Sequence, residues 1–472
     1  MKYKLEDFDP KNNKTVCVSA WSHLHASTDG KVYNCCMNSD KPMGDYEDES
    51  LKDIWNGEEI KKFRVKTLNG IKQSQCNLCY QQEEMGNHSF RMFFWDTFNN
   101  KEILESTKED GTVDDINLTY WDFRFSNVCN LKCRTCGPVY SSTWGEELSR
   151  VKPEENGGHS ALRRGNGTNI LKSLEDENQY QKVESIYFAG GEPLIMNEHY
   201  VILDNLKKYN RTDVKISYNT NFMNLFFKKT PVWDFWNKFD NIQLQTSIDG
   251  LDNRGEYIRK GFNMETYKTN LNIVRTNSPH VKIGASIAVS ILNTLHIFDL
   301  IDTLINDLKF NPHLININFV FGPSYYNPQN LTTDLKNKWL SLYEKEIVKY
   351  IEPENTYFPV YNNIKNILDR IKTFLFEKET DEFVTVMLYD AATYNDSLVY
   401  KNKPVYITNT LEKNTKFTIE NIKEYYLNND ILEDINNIEN IISNKIDNNN
   451  INSEILQIFP ITFSLSITKS PF

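Results

Sequence analysis

From about residue 115 to residue 325, short β-rich runs alternate with amphipathic helical stretches, and this alternation restricts the fold more than any other feature of the 472-residue chain. Six candidate strands stand out: Asn117–Phe125, Val183–Phe188, Val214–Asn219, Ile242–Ser247, Val281–Val289 and Ile315–Phe321. Between them lie stretches such as NEHYVILDNLKKYN, METYKTNLNIVRTN and LHIFDLIDTLIND, whose apolar residues recur three and four apart, the spacing of one helix face. A strand, a helix and then another strand is the signature of a parallel sheet. Six such units closing partway round predict an α/β fold, a partial (β/α)6 TIM-like barrel, with its chemistry at the C-terminal ends of the strands. The flanks read differently. Residues 1–114 have many turn residues and five of the eight cysteines, as expected of a small metal-organised domain. Residues 331–472 begin as a helical extension and drift into the Asn/Ile/Lys-rich tail NNDILEDINNIENIISNKIDNNNINSEI, to which no chemistry is assigned. The expected domains are therefore 1–114, 115–330 (the barrel) and 331–472.

Composition narrows the class. No apolar run approaches the 18 or so residues that span a bilayer, and the N-terminus MKYKLEDFDPKNNK is charged where a signal peptide would be apolar. The expectation is a cytoplasmic protein with no membrane association. A net charge of −11 disfavours a nucleic-acid partner, because no basic patch offsets it. Eight cysteines in a reducing compartment point to metal binding or catalysis rather than disulfides.

The segment SNVCNLKCRTCGP places Cys129, Cys133 and Cys136 in a C-x3-C-x2-C spacing directly after the first candidate strand. Clustered soft thiolates favour zinc or iron–sulfur over hard cations. Most [4Fe-4S] clusters take four cysteines, and this loop supplies three, which leaves one iron open, as a catalytic centre requires. A three-cysteine zinc site completed by a remote histidine is the structural alternative. GGEP, at Gly190 to Pro193, follows the second strand: its glycines permit close backbone approach, and Glu192 offers a carboxylate to an ammonium group. TN ends the third strand and SIDG the fourth, so all four motifs fall at strand ends.

Over residues 117–325 the sequence resembles the radical S-adenosylmethionine (SAM) superfamily. The resemblance implies that Cys129, Cys133 and Cys136 bind three irons of a [4Fe-4S] cluster whose fourth iron is chelated by SAM, with Gly190, Gly191 and Glu192 at the SAM amino group. It further implies Asn221, Ser247, Asp249 and Arg259 around the SAM carboxylate and ribose. Reductive cleavage of SAM would yield methionine and a 5′-deoxyadenosyl radical for hydrogen abstraction. Many members carry an aromatic residue before the third cysteine, where this chain has Thr135.

Cys17, the Cys35–Cys36 pair and Cys76-x2-Cys79 offer four thiolates from three segments, enough for tetrahedral zinc or a fully ligated iron–sulfur cluster. This stretch, through SLKDIWNGEEIKKFR to CNLCYQQEEMG, resembles the twitch domain, a relative of the SPASM domain. The resemblance implies an auxiliary [4Fe-4S] cluster on Cys17, Cys35, Cys76 and Cys79, with Cys36 an alternative to Cys35. His23 and His25 share one strand face but are left out of the site. The expected partners are SAM, a peptide or small-molecule substrate, and an external electron donor such as flavodoxin or ferredoxin. The competing reading is a catalytically silent zinc- or iron–sulfur-binding interaction module on the same fold.

Overall fold

All six candidate strands form, and they lie side by side in chain order, every neighbouring pair parallel, in one nine-stranded sheet. The computed structural model describes residues 13–38, 41–84, 88–98, 101–151, 167–322, 326–351 and 360–377, and the backbone of three short strands at 386–388, 405–407 and 456–458. The sheet contains β1 (His23–Ala26), β2 (Lys31–Tyr33), β3 (Gly44–Asp45), β4 (Tyr120–Phe123), β5 (Ser185–Phe188), β6 (Lys215–Thr220), β7 (Ile242–Ser247), β8 (Lys282–Val289) and β9 (Ile315–Phe319). Their spatial order is β9-β8-β7-β6-β5-β4-β1-β2-β3. The fold is thus mixed α/β with a large, mainly parallel sheet.

Alternation along the central strands gives the sheet two unlike faces. Ile186 and Phe188, Ile216 and Tyr218, and Ile242 and Leu244 are buried. They join one core with the buried stripes of the helices Asn197–Lys208, Met264–Asn277 and Ile297–Asn306. Two polar pins fix the first two of those helices: His199 Nε2 lies 2.8 Å from the Tyr218 hydroxyl, and the Tyr267 hydroxyl lies 2.6 Å from Thr246 Oγ1. Each large side chain so buried contributes about 1.5–3 kcal/mol. The alternate positions, Tyr187, Ser217, Asn219, Gln243, Gln245 and Ser247, are mostly polar and only half-buried. This second face holds the cavity described below.

The N-terminal segment continues the same sheet. β1 pairs in parallel with β4, His25 opposite Asp122, and β1–β2–β3 is an antiparallel meander beyond it. Trp21, Trp55 and Phe94 belong to the same hydrophobic core as Trp121 and Leu244. Arg64, on the helix Glu58–Leu68, lies 4.7 Å from the Trp55 ring centre and donates from Nε to Ala20 O at 2.9 Å, which ties that helix to the segment before β1.

At the opposite edge, Asn363 donates to Pro312 O and Ile315 O, and Phe374 stacks on Phe319 at 3.9 Å, so the helix Asn362–Phe376 covers β9. Farther along, 386–388, 405–407 and 456–458 form a three-stranded antiparallel sheet where the sequence reads as helix or tail. The Asn/Ile-rich stretch NNDILEDINNIENIISNKIDNNNINSEI lies outside the described residues. Among the described residues no helix is long and apolar enough to cross a membrane.

Candidate active site

The loop after β4 carries the three cysteines, and its backbone polar groups are largely satisfied by the protein. Lys132–Cys133 pairs antiparallel with Arg259–Lys260, and Arg134 N donates to Ile258 O at 2.8 Å. Trp144 Nε1 donates to Cys133 O at 2.7 Å, while Ser141 Oγ and Thr143 Oγ1 both donate to Leu131 O. Cys136 N closes back on Cys133 O at 3.0 Å. The thiols themselves make only long contacts: Leu131 N donates to Cys129 Sγ at 3.4 Å, and Cys136 Sγ lies 3.7 Å from Gly137 O.

Those thiols line a cavity of about 280 Å³ that opens at the C-terminal ends of β4–β7. Cys129, Cys133 and Cys136 meet Gly190, Gly191, Asn221, Ser247 and Arg259 there, so eight of the ten residues singled out for this end of the sheet share one space. The other two, Glu192 and Asp249, stand behind the wall.

Glu192 is buried, and its carboxylate is occupied by the protein. Oε1 accepts from Leu194 N at 3.1 Å and Thr220 Oγ1 at 2.7 Å, and Oε2 accepts from Asn221 N at 2.7 Å. Burial, partly offset by these donors, pushes its pKa up to about 7. Its role in this geometry is to pin the end of β5 to the end of β6. Asp249 is likewise buried: Oδ2 accepts from Arg259 Nη1 at 2.8 Å and Oδ1 from Ala288 N at 2.7 Å, so it aims Arg259.

The two glycines are demanded by the cysteine loop itself. A Cβ on Gly191 would lie 2.1 Å from Val128 O, because Glu192 N donates to that carbonyl at 2.7 Å and Gly191 N to Ser126 O at 3.3 Å. Gly190 adopts φ +119°, which L side chains rarely reach. Sequence reasoning reserved this room for a ligand; much of it is filled by the backbone one residue before Cys129.

Burial pushes the Cys129 and Cys133 thiols up to about 12, and it also raises Cys136. Buried thiols of this kind ionise when a cation compensates them, as a metal centre does. Arg259 lines the cavity, and its Nε is buried with no hydrogen-bond partner. The soft donor set and this guanidinium fit an iron–sulfur cluster with an anionic ligand beside it. Among the described residues no three His, Cys, Asp or Glu side chains are gathered as the ligands of one metal ion.

Sequence reasoning missed Arg124, Tyr140 and Tyr187, which line the same cavity. Arg124 donates from Nε and Nη2 to the buried Asp122 at 3.2 and 3.3 Å, and His25 Nδ1 lies 2.9 Å from Asp122 Oδ2. Burial alone would raise the Asp122 pKa, but Arg124 and His25 outweigh it and hold the carboxyl well below the usual range. His23, also left out of the site, is 2.9 Å from Tyr120 O and stacks on that ring at 4.7 Å. The signal for Arg124 lies in DFRF, where Asp122 and Arg124 are two apart just before the cysteine loop.

The N-terminal cysteines form a second neighbourhood. Cys17 is within electrostatic reach of Cys79, Cys76 of both, and Cys35 of Cys17. Arg91 fastens the segments together: it pairs with Glu83 on the Cys79-bearing helix Asn77–Glu84 and donates to Val16 O at 2.9 Å. Cys36 lies instead within reach of Tyr120 and Tyr187.

Residues 17–80 match the SPASM family, described as an iron-sulfur cluster-binding domain. Among solved structures, the chain is similar to native anSMEcpe with bound AdoMet, at 17% identity, covering 47% of this chain and 60% of that one, TM-score 0.33. It is also similar to Streptococcus suis SuiB bound to S-adenosylmethionine, at 14% identity, covering 61% and 63%, TM-score 0.33. The matched region spans less than two thirds of either chain. A search of curated proteins finds no match. With its C-x3-C-x2-C and GGE segments and its SPASM match, the chain is similar to radical SAM proteins that carry a SPASM-related domain.

Proposed function

On that similarity we propose that the chain is a radical SAM enzyme, with Cys129, Cys133 and Cys136 holding a [4Fe-4S] cluster and SAM bound beside it in the cavity. The observation that carries this reading is the meeting of three thiols, two glycines and Arg259, from separate segments of the chain, around one space of about 280 Å³. When bound, cluster and SAM would supply a 5′-deoxyadenosyl radical for hydrogen abstraction. The chain's own residues bind and orient. Gly190 and Gly191 would offer backbone to the SAM amino group, and Arg259, aimed by Asp249, would offer its guanidinium to the carboxylate. Asn221 donates to Asn130 Oδ1 at 2.8 Å and reaches Cys129 Sγ at 3.9 Å, so it positions the first thiol; Ser247 faces the ribose.

In this reading β4–β9 form the partial barrel of residues 115–330, and residues 1–114 carry an auxiliary [4Fe-4S] cluster on Cys17, Cys35, Cys76 and Cys79. The SPASM match over residues 17–80 and the proximity of these thiols support the auxiliary cluster. The proposed substrate is a peptide or a small metabolite, the electron donor a flavodoxin or ferredoxin, and the setting cytoplasmic.

Anaerobic reconstitution with iron and sulfide, then a dithionite assay with SAM, tests the proposal. About eight irons per chain and formation of 5′-deoxyadenosine are expected. Zinc alone at the barrel cysteines refutes it. Thr135, which lines the cavity where related proteins place a ring, favours one competing reading, a silent cluster-binding module. That module would hold its irons and never release 5′-deoxyadenosine.

A further inference from the structure

The cavity contains a second cationic position, and we propose that Arg124, with Tyr140 and Tyr187, holds a carboxylate of the substrate. This assignment rests on the reading of the cavity as a SAM site and specifies what else enters it.

Arg124 directly follows β4 and stands beside Gly190, whose Cβ position is 3.2 Å from Arg124 Cβ. Its guanidinium is aimed from behind. Asp122, fully buried on β4, accepts from Nε and Nη2, and His25 on β1 holds Asp122 in turn. Burying an ion pair in a sheet costs several kcal/mol unless its remaining donors and acceptors are satisfied. Here one edge of the guanidinium is satisfied and Nη1 makes no hydrogen bond to a described residue. The neighbouring phenols are in the same condition: Tyr187 lines the cavity, and the Tyr140 ring centre lies 5.5 Å from the Arg124 guanidinium carbon. Neither hydroxyl bonds to a described residue, so the three residues that line this part of the cavity carry an N–H edge and two O–H groups with no hydrogen bond to a described residue.

Charge accounting identifies the ligand class. SAM brings a single carboxylate, and Arg259, which lines the cavity on the Cys133 side, accounts for it. Arg124 is then the guanidinium whose free edge SAM does not account for. Asp122 already offsets its charge, so a singly charged anion suits the position better than a phosphate dianion. Three donors match the two oxygens of a carboxylate.

The probes are N-acetylglycine and its uncharged analogue N-acetylglycinamide, titrated by ligand-observed NMR against the reconstituted full-length protein with and without SAM. Wild type is expected to bind the acid about tenfold or more tighter than the amide, the scale of a charge-assisted contact. Arg124→Gln should abolish that preference and leave SAM affinity within about twofold. Equal binding of acid and amide by wild type overturns the assignment. Loss of SAM affinity in Arg124→Gln also overturns it, by moving Arg124 onto the SAM carboxylate. If Arg124→Gln does not fold, Tyr187→Phe keeps the Arg124–Asp122 pair and should weaken the acid several-fold without touching the amide; unchanged affinity refutes the idea. Failure of wild type to bind SAM sinks the underlying reading, and the comparison of acid with amide in SAM-free protein still decides the anion position.

Discussion

Gly191→Ala adds a single methyl group at the point where the second strand end meets the cysteine loop. That carbon would sit 2.1 Å from Val128 O and 2.7 Å from Val128 C and Asn127 C, and real Cβ contacts essentially never fall below 3.0 Å. The obstructing atoms are backbone, so no side chain can rotate away. The loop must retreat by about 0.9 Å, which stretches the 2.7 Å bond from Glu192 N to Val128 O beyond hydrogen-bonding range. Overpacking of this kind costs about 1–3 kcal/mol and the lost hydrogen bond about 1 kcal/mol more, so a destabilisation of roughly 2–4 kcal/mol is expected. The functional effect is larger than that figure suggests. Val128 adjoins Cys129, and a ligand displaced by nearly 1 Å exceeds the tolerance of about 0.2 Å for a metal–sulfur bond. Gly137→Ala is the control: it lies in the same loop, next to Cys136, and its Cβ meets nothing within 4 Å. Iron per chain after anaerobic reconstitution and thermal unfolding of the metal-free protein are the two readouts. Gly191→Ala should lose about half of the eight expected irons and unfold at lower temperature, with Gly137→Ala matching wild type in both. Wild-type iron content and stability in Gly191→Ala would show that the glycine is not required by this packing.

Two further outcomes follow from other parts of the chain. Cys35 is within electrostatic reach of Cys17, and Cys36 of Tyr120 and Tyr187, so Cys35→Ser should remove about four irons and Cys36→Ser none; the reverse pattern in an iron assay would exchange their roles. His23 is buried with Nε2 unpartnered, and burial lowers its pKa to about 4 from 6.5. The unfolded chain therefore binds the extra proton more readily, and the stability that the neutral ring contributes is complete above pH 6.5 and lost as pH falls towards 4. Between pH 7 and pH 5 this group should account for about 2 kcal/mol of lost stability. Urea unfolding of metal-free wild type and His23→Phe at both pH values should give a shallower drop in the variant, and identical drops would refute the linkage.

The parallel sheet was legible because each β-rich run is bounded by turns and followed by a helix with a three-and-four apolar repeat, both local signals. The cysteines and the glycines that line the cavity were legible for the same reason, since their motifs sit at strand ends, whereas Arg259, which follows the helix Asp252–Ile258, was suggested only by the family resemblance. What escaped was the direction of side chains and the pairing of distant strands. Glu192 reads as a carboxylate for a ligand, yet it turns back to Thr220 and the Asn221 amide, a choice that depends on how β5 and β6 are registered. His25 and Asp122 are 97 positions apart, and only the parallel pairing of β1 with β4 brings them within 2.9 Å. Residues 1–114 look self-contained because their motifs are short and their cysteines cluster, but hydrogen bonds between β1 and β4 carry no sequence signal at all.

The cost of a polar inner face links these observations. Closed barrels fill their interior with branched apolar side chains, which makes the inside a source of stability. In this sheet the second face instead carries Tyr187, Ser217, Asn219, Gln243, Gln245 and Ser247, and at Gly284 the missing side chain leaves room for the Gln245 amide, 2.7–2.8 Å from where a Cβ would be. Such a face keeps space for polar guests and contributes little hydrophobic free energy, so the sheet must be stabilised by its outer helices and at its edges. β1–β2–β3 cover the edge of β4 that would otherwise expose unpaired backbone groups to solvent or to another chain. The same strands deliver His25 to Asp122 and bring Cys36 within reach of Tyr187 at the cavity wall. Edge protection and site construction are thus one structural act, which is why the cysteine-rich segment is joined to β4 by strand pairing and a common core rather than tethered by a linker.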